Sequence, residues 1–234
     1  MKIGIIGYGI VGKAADLTFS QKFDTVKYDK FINLDKFENL VDCDYIFIMV
    51  PTPYDYNLQK ADYSAVEESL VKIQELRFGG NIVIKSTMTP GKCDDFSKKY
   101  DVNIIYNPEF LRESISPNED FKNQEIVVIG TPDKETFNNL KKMYKSLLIP
   151  NAKYFHTSLR EAEMIKLSQN TMLASRVAIA NMIFDACDEN QIDYNVIREI
   201  AFDNFEIIGP HMSLVPGPDG KRGFGGKCLP KDTL

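Results

Sequence analysis

The tightest constraint on this chain lies at its start. Residues 2–6, Lys-Ile-Gly-Ile-Ile, form an apolar run that leads at once into Gly7-Tyr8-Gly9-Ile10-Val11-Gly12. A GxGxxG alone is a weak sign. Directly after a strand and opening a helix, it is the context in which a backbone turn cradles a pyrophosphate. Gly7 permits the tight turn, Gly9 lets a phosphate approach the main chain, and Gly12 lets helix and strand pack closely. The helix N-terminus adds free N–H groups. An acidic side chain is then expected roughly 20 residues on, after the second strand. Asp29 closes Val26-Lys27-Tyr28 at that place. A carboxylate there bonds a ribose 2′-hydroxyl and repels a 2′-phosphate, so NAD is favoured over NADP as cofactor. Lys30, beside it, weakens that preference. The alternative is a glycine-rich turn that holds no ligand.

The first 157 residues repeat this alternation. Apolar runs at 25–28, 45–50, 81–85, 103–106, 125–129 and 152–155 are separated by helix-like segments at 13–19, 63–76, 92–99 and 134–147. Continuous apolar strands between amphipathic helices predict a parallel sheet covered on both faces. Right-handed crossovers make that a doubly wound α/β, Rossmann-like domain over 1–157. From Thr157 to Ile208 there is neither Gly nor Pro, and Ser158 with Glu161 spells a capping box. A long helix is predicted from there to about Asn190. Its stretch Val177–Phe184 is apolar nearly all round, which demands burial on every side. The expectation is a central helical region, 158–208, that makes a homodimer along this helix. The alternative is a helix wedged between two domains of one chain. A second helix is predicted over Asn195–Phe205, capped by Asp193. Residues 209–234 return to loop chemistry.

Composition excludes several classes. Lys and Arg total 28 against 33 Asp and Glu, a net charge of -5. That is no general basic footprint, so no nucleic-acid partner is expected. No apolar run is long enough to span a bilayer, and the N-terminus lacks a signal-peptide layout, so no membrane partner is expected. Cys43, Cys93, Cys187 and Cys228 make no CxxC pair, and with His156 and His211 they spell no metal site. Free thiols in a reducing cytoplasm are the expectation.

Polar residues at strand ends carry the candidate chemistry. Thr52 and Thr87 either border the cofactor crevice or serve as turn and cap residues. Glu109 and Glu113 are four apart and share a face if their segment is helical. They suit general-base work or water positioning, or else merely complement a helix dipole. Lys166 and Asn170, also four apart, are able to hold a developing alkoxide with one charge and one amide, or form a solvated face. Cys228 lies between Gly223-Phe224-Gly225-Gly226 and Leu229-Pro230-Lys231-Asp232. Pro230 suits a helix's first turn. The helix N-terminus and Lys231 both favour a nucleophilic thiolate, with Asp232 as acid, base or orienter. An inert buried thiol is the bland alternative.

The ordered set Gly7–Gly12, Val50-Pro51-Thr52-Pro53, Lys85-Ser86-Thr87, Asn107–Glu113, Glu163-Met164-Ile165-Lys166-Leu167 with Asn170, and Gly223–Thr233 resembles the UDP-glucose 6-dehydrogenase family, within the wider UDP-glucose/GDP-mannose dehydrogenase group. The resemblance implies oxidation of a sugar C6 alcohol to a carboxylate, UDP-glucose to UDP-glucuronate, with two NAD+ and water. GDP-mannose or a UDP-N-acetylhexosamine is the alternative nucleotide sugar. It implies that Cys228 captures the aldehyde as a thiohemiacetal and then carries a thioester. Lys166 and Asn170 would stabilise oxygen charge, with Asp232 holding water and protons near Lys166. Thr87 and Glu109 would position or activate the hydrolytic water. Glu113 and Lys231 would reach the cofactor. The sugar would meet Glu109, Phe110, Leu111, Arg112 and Glu113 on one side and Phe224, Gly225 and Gly226 on the other. Two departures stand out. Ile207 occupies the place of a family Arg, leaving Arg222 or Lys221 for the diphosphate. The chain also ends two residues after Asp232, where the family continues into a further α/β domain over the uridine diphosphate. A truncated NAD-binding dimer without activity is therefore the other reading.

Overall fold

The computed structural model describes residues 1–111 and 117–203. The strands are the apolar runs of the sequence: β1 (Lys2–Ile6), β2 (Asp24–Tyr28), β3 (Tyr45–Ile48), β6 (Asn81–Ile84), β7 (Ile104–Tyr106), β8 (Ile126–Gly130) and β9 (Lys153–Thr157), joined in one sheet of order β2-β1-β3-β6-β7-β8-β9. Two short strands, β4 (Tyr54–Asp55) and β5 (Lys60–Ala61), make a separate antiparallel hairpin that the apolar pattern does not announce. Helices α1 (Ile10–Phe19), α2 (Ser64–Glu75), α3 (Lys92–Tyr100) and α5 (Lys134–Lys145) fall where amphipathic periodicity puts them, and α4 (Pro117–Lys122) is an addition.

Side chains alternate across the sheet, as the two-residue strand period requires. Ile3, Ile5, Phe47, Val83 and Val127 face one core, closed by Phe19 of α1, Phe121 of α4 and Tyr144 of α5. Ile46, Ile48, Ile82, Ile84 and Val128 face the other, closed by Leu70 of α2 and Phe96 of α3. The domain is doubly wound, with each such buried side chain contributing about 1.5–3 kcal/mol.

The expectation of an all-parallel sheet needs correction at one seam. β7 and β8 run antiparallel, paired at Tyr106 and Gly130. A parallel crossover is usually made by a helix that returns the chain along the sheet. The six residues of α4 span only about 9 Å. Phe121 instead docks edge-on against Phe19, ring centroids 5.6 Å apart, and the chain turns back.

Met1–Met172 forms one compact unit, and a second begins at Leu173. Helix α6 (Leu159–Glu189) begins with the capping box read from sequence. The Ser158 N–H donates to the Glu161 carboxylate at 2.8 Å, and the Glu161 N–H donates to Ser158 Oγ at 3.2 Å. Its first turns belong to the first unit. Glu163, fully buried, accepts N–H groups from Gly91 and from Cys93 (2.8 Å) at the start of α3. In the second unit, α7 (Tyr194–Ile197) is capped by Asp193, whose carboxylate accepts the Asn195 N–H at 2.9 Å. The second helix is thus shorter than expected, because the backbone passes into a π-helical turn over Arg198–Asp203. Phe205 lies outside the described residues. Among the described residues no helix is long and apolar enough to cross a membrane.

Candidate active site

The glycine turn has the space its sequence implies. Gly7 sits at φ +93°, and a Cβ there would lie 2.5 Å from the Met49 carbonyl oxygen. A Cβ at Gly12 would lie 2.1 Å from the Gly7 carbonyl oxygen, so α1 rests directly on the turn. At Gly9, by contrast, no described atom falls within 4 Å of an added Cβ. Gly9 is also the N-cap of α1, and no described side chain caps it. Open space therefore faces unpaired N–H groups, which is what a pyrophosphate needs.

Asp29 is locked beside this turn. One carboxylate oxygen accepts the Tyr8 N–H at 2.7 Å and the other the Phe31 N–H at 2.9 Å. Tyr8 contributes its main chain here, because its ring folds back and its hydroxyl donates to Asp16 at 2.6 Å. Burial, then the bond and charge of Asp16, push the Tyr8 hydroxyl up to about 12. Lys30 is drawn into an ion pair with Glu68 of α2 at 2.8 Å, and Glu68 also holds Lys72 at 3.0 Å. Gly7, Gly9, Asp29, Lys30, Val50 and Glu68 line one cavity of about 230 Å³. Ile10 and Val11 line the mouth of a second, of about 540 Å³, which shares the Gly9 and Met49–Pro51 wall. Glycine clearance, open amides and a fixed carboxylate fit a dinucleotide.

The second cavity holds the chemical candidates. Its floor is the clipped ends of β3 and β6, where Thr52 Oγ1 donates to the Thr87 carbonyl at 3.0 Å and Ser86 Oγ to the Val50 carbonyl at 2.6 Å. Glu109 enters from the end of β7. Residues 107–111 form an irregular segment rather than a helix, so the helical premise that aligned Glu109 with Glu113 does not hold on the Glu109 side. Glu109 Oε1 accepts the N–H groups of Phe110 (2.9 Å) and Leu111 (3.0 Å). Its Oε2 meets Lys85 Nζ at 3.0 Å as an ion pair, and no described donor is aligned with that buried oxygen as a hydrogen bond.

Lys85 is the residue that sequence reasoning left without a role. Its side chain is 1% exposed. Nζ also donates to the carbonyl (3.2 Å) and side-chain oxygen (3.0 Å) of Asn107. Asn107 in turn accepts the Tyr144 hydroxyl at 2.6 Å and donates to the Val128 carbonyl at 2.7 Å. Burial first, then the Glu109 charge, hold the Tyr144 hydroxyl well above the ordinary tyrosine value. The signal was present in the sequence: an ionic residue closes the buried run Asn81-Ile-Val-Ile, where only a paired charge is tolerated.

Lys166, one turn beyond the Glu163 anchor, is half-buried with Nζ 5.3 Å from the centre of the Phe110 ring. Burial lowers its proton affinity below that of an ordinary lysine; the Glu109 charge opposes this and the Lys85 charge adds to it. Asn170 is exposed on the same helix. The structure thus brings Thr52, Thr87, Glu109, Leu111 and Lys166 to one cavity wall. Arg112, Glu113, Ile207, Lys221, Arg222, Phe224, Gly225, Gly226, Cys228, Lys231 and Asp232 lie outside the described residues. The described cysteines, Cys43, Cys93 and Cys187, are buried free thiols, and burial pushes Cys43 up to about 11.

Comparison with known proteins places these features. Residues 24–148 match the NAD binding domain of the UDP-glucose/GDP-mannose dehydrogenase family, and residues 160–234 match that family's central domain. A UDP-glucose 6-dehydrogenase of Rickettsia prowazekii is 36% identical over 214 residues, 88% of this chain and 46% of that protein. A GDP-mannose dehydrogenase structure from Pseudomonas aeruginosa superposes with a TM-score of 0.84 at 24% identity, covering 99% of this chain and 62% of that one. A UDP-glucose dehydrogenase structure from Pyrobaculum islandicum gives 0.78 at 26% identity, with 99% and 62% covered. The chain spans about half the length of the curated relatives it matches.

Proposed function

The chain belongs to the UDP-glucose/GDP-mannose dehydrogenase family, and from that premise we propose that it serves NAD-dependent oxidation of a nucleotide sugar, UDP-glucose to UDP-glucuronate. The observation that carries this reading is the cavity in which Glu109 and Lys166 share a wall with the glycine turn. Gly7, Gly9 and Gly12 would hold the cofactor's pyrophosphate and Asp29 its ribose, with Thr52 and Thr87 beside the nicotinamide end. When bound, NAD takes up the electron pairs released as the C6 alcohol becomes a carboxylate.

The chain's own residues supply binding, orientation and proton transfer. Lys166, whose proton is held less tightly than usual, gives or takes a proton at the sugar oxygen, and Asn170 adds an amide donor. Glu109, which lines the cavity with its carboxylate held by the Phe110 and Leu111 N–H groups and by Lys85, orients the hydrolytic water together with Thr87. Cys228 Sγ adds to the C6 aldehyde carbon to give a thiohemiacetal. Oxidation gives the thioester, and water releases the carboxylate and regenerates the thiol, with Asp232 handling the proton. Glu113 and Lys231 complete the cofactor contacts. Phe110, Leu111, Arg112, Arg222, Phe224, Gly225 and Gly226 surround the sugar nucleotide. The working division is an NAD-binding part over 1–157, a central helical part over 158–208 and a catalytic loop over 209–234. Buried free thiols are in keeping with a reducing cytoplasm. A second copy of the chain is the partner proposed for α6, whose Val177, Ile179, Met182 and Phe184 are 49–70% exposed.

An NADH-formation assay on the 234-residue chain tests this. Two NADH per UDP-glucose are expected, with overall turnover lost in Cys228→Ser. Turnover with GDP-mannose or a UDP-N-acetylhexosamine alone would replace the substrate. Calorimetric NAD binding without NADH formation from any nucleotide sugar would replace the enzyme by an NAD-binding remnant.

A further inference from the structure

A lysine beneath an active-site cleft is costly unless it is paired and hydrogen-bonded. Lys85 meets both conditions: Asn107 receives two of its N–H groups, and Glu109 takes the charge. Asn107 is itself fixed by Tyr144 of α5 and by the Val128 carbonyl of β8, and the Phe121 ring of α4 lies 5.4 Å from Nζ. Three elements therefore converge to hold one ammonium in place. Lys85 lines the same cavity as Lys166, with its ammonium buried behind the wall.

We propose that Lys85 is a positioning residue of the active site: a fixed buried cation that aims the Glu109 carboxylate and keeps a like charge beside Lys166. The inference rests on the reading of Glu109 and Lys166 as the working pair. The groups facing the cluster come from four elements. Glu109 comes from the segment after β7, Tyr144 from α5 with Tyr154 of β9 behind it, and Lys166 from α6. Of these, Glu109 favours the protonated Lys166 amine, whereas burial and Lys85 disfavour it. Lys85 thus offsets the carboxylate it holds, leaving Lys166 with a proton it is able to release. Its role would be exerted through Lys166 and Glu109, without contact with the substrate.

Competitive acylation of the 234-residue chain with trace acetic anhydride, read at Lys166 by peptide mass spectrometry across alkaline pH, tests this. In Lys85→Gln the half-labelling pH of Lys166 is expected to rise by about 1, because the like charge is gone while Glu109 remains. Lys85→Arg, which keeps the charge, returns it toward the unaltered value. Glu109→Gln moves it down. An unchanged midpoint in folded Lys85→Gln overturns the proposal. If that variant does not fold, an unchanged or raised midpoint in Glu109→Gln overturns it. Labelling needs no substrate, so failure of nucleotide-sugar turnover is told apart from failure of this inference. A merely structural lysine would alter folding stability and leave the labelling midpoint where it was.

Discussion

At the scale of single residues, Gly9 and Gly12 should respond differently to the same added methyl group. A Cβ at Gly12 has nowhere to go, because the obstacle is the Gly7 backbone oxygen at 2.1 Å. Gly12→Ala is expected to cost about 3 kcal/mol in urea denaturation and to displace α1 from the turn. Gly9→Ala meets open space and loses at most about 1 kcal/mol from a poorer cap. Its penalty falls on the ligand: NAD affinity by calorimetry should drop at least about tenfold, since that methyl fills the room left for the pyrophosphate. Tyr8 gives a pH prediction. The unfolded chain releases this proton near 10.0, the folded chain near 12. Below the lower value both states are protonated and the stabilisation is complete; between the two only the folded state is, so stability falls as pH rises through that window. Tyr8→Phe should flatten that part of the stability curve, and its ultraviolet difference titration should lack a phenol ionising at about 12. The glycines were legible from sequence because spacing and backbone space are linked by simple geometry. The inward fold of the Tyr8 ring was not, since its partner Asp16 lies on a helix face that only packing selects.

At the scale of elements, Glu163 joins two helices. It sits on α6, yet its carboxylate accepts the first N–H groups of α3, which would otherwise be buried without partners. Glu163→Ala should cost about 3 kcal/mol and accelerate amide exchange at Gly91 and Cys93, while Glu163→Gln should recover part of it. Lys166 follows three residues later on the same helix face, so Glu163→Ala should also loosen the cavity wall. The seven sheet strands were legible as continuous apolar runs and four of the helices by their period of 3.6. The antiparallel seam at β8 was not. The apolar run Ile126–Ile129 has no direction written in it, and its orientation is seen only where Tyr106 pairs with Gly130. Lys85 escaped for a related reason: its partners Glu109, Asn107 and Tyr144 are 22 or more residues away in sequence and meet only when β6, β7 and α5 are assembled.

At the scale of the whole molecule, the exposed apolar length of α6 beyond residue 173 calls for a cover. Ser175, Ile179, Met182 and Ala186 recur at spacings of four, three and four, the stripe of a helix that packs along another helix. All four are exposed, whereas Phe184, on another side, already meets Tyr194 of α7 edge-on at 5.4 Å. The Ile179–Met182 stripe is therefore the face on which the proposed second copy would pack. Burying two such side chains is worth about 3 kcal/mol or more in association, which corresponds to at least about a hundredfold in the dimer constant. The double variant Ile179→Glu, Met182→Glu should weaken dimerisation by that factor in sedimentation equilibrium. Its helical circular dichroism should not change, because both positions are exposed and glutamate is a good helix former. A sedimenting monomer at all concentrations for the unaltered chain, or a dimer indifferent to both charges, would move the proposed contact away from this stripe. The cofactor cavity supplies the control, since it is built entirely from residues before 173: NAD affinity should be the same in the double variant as in the unaltered chain.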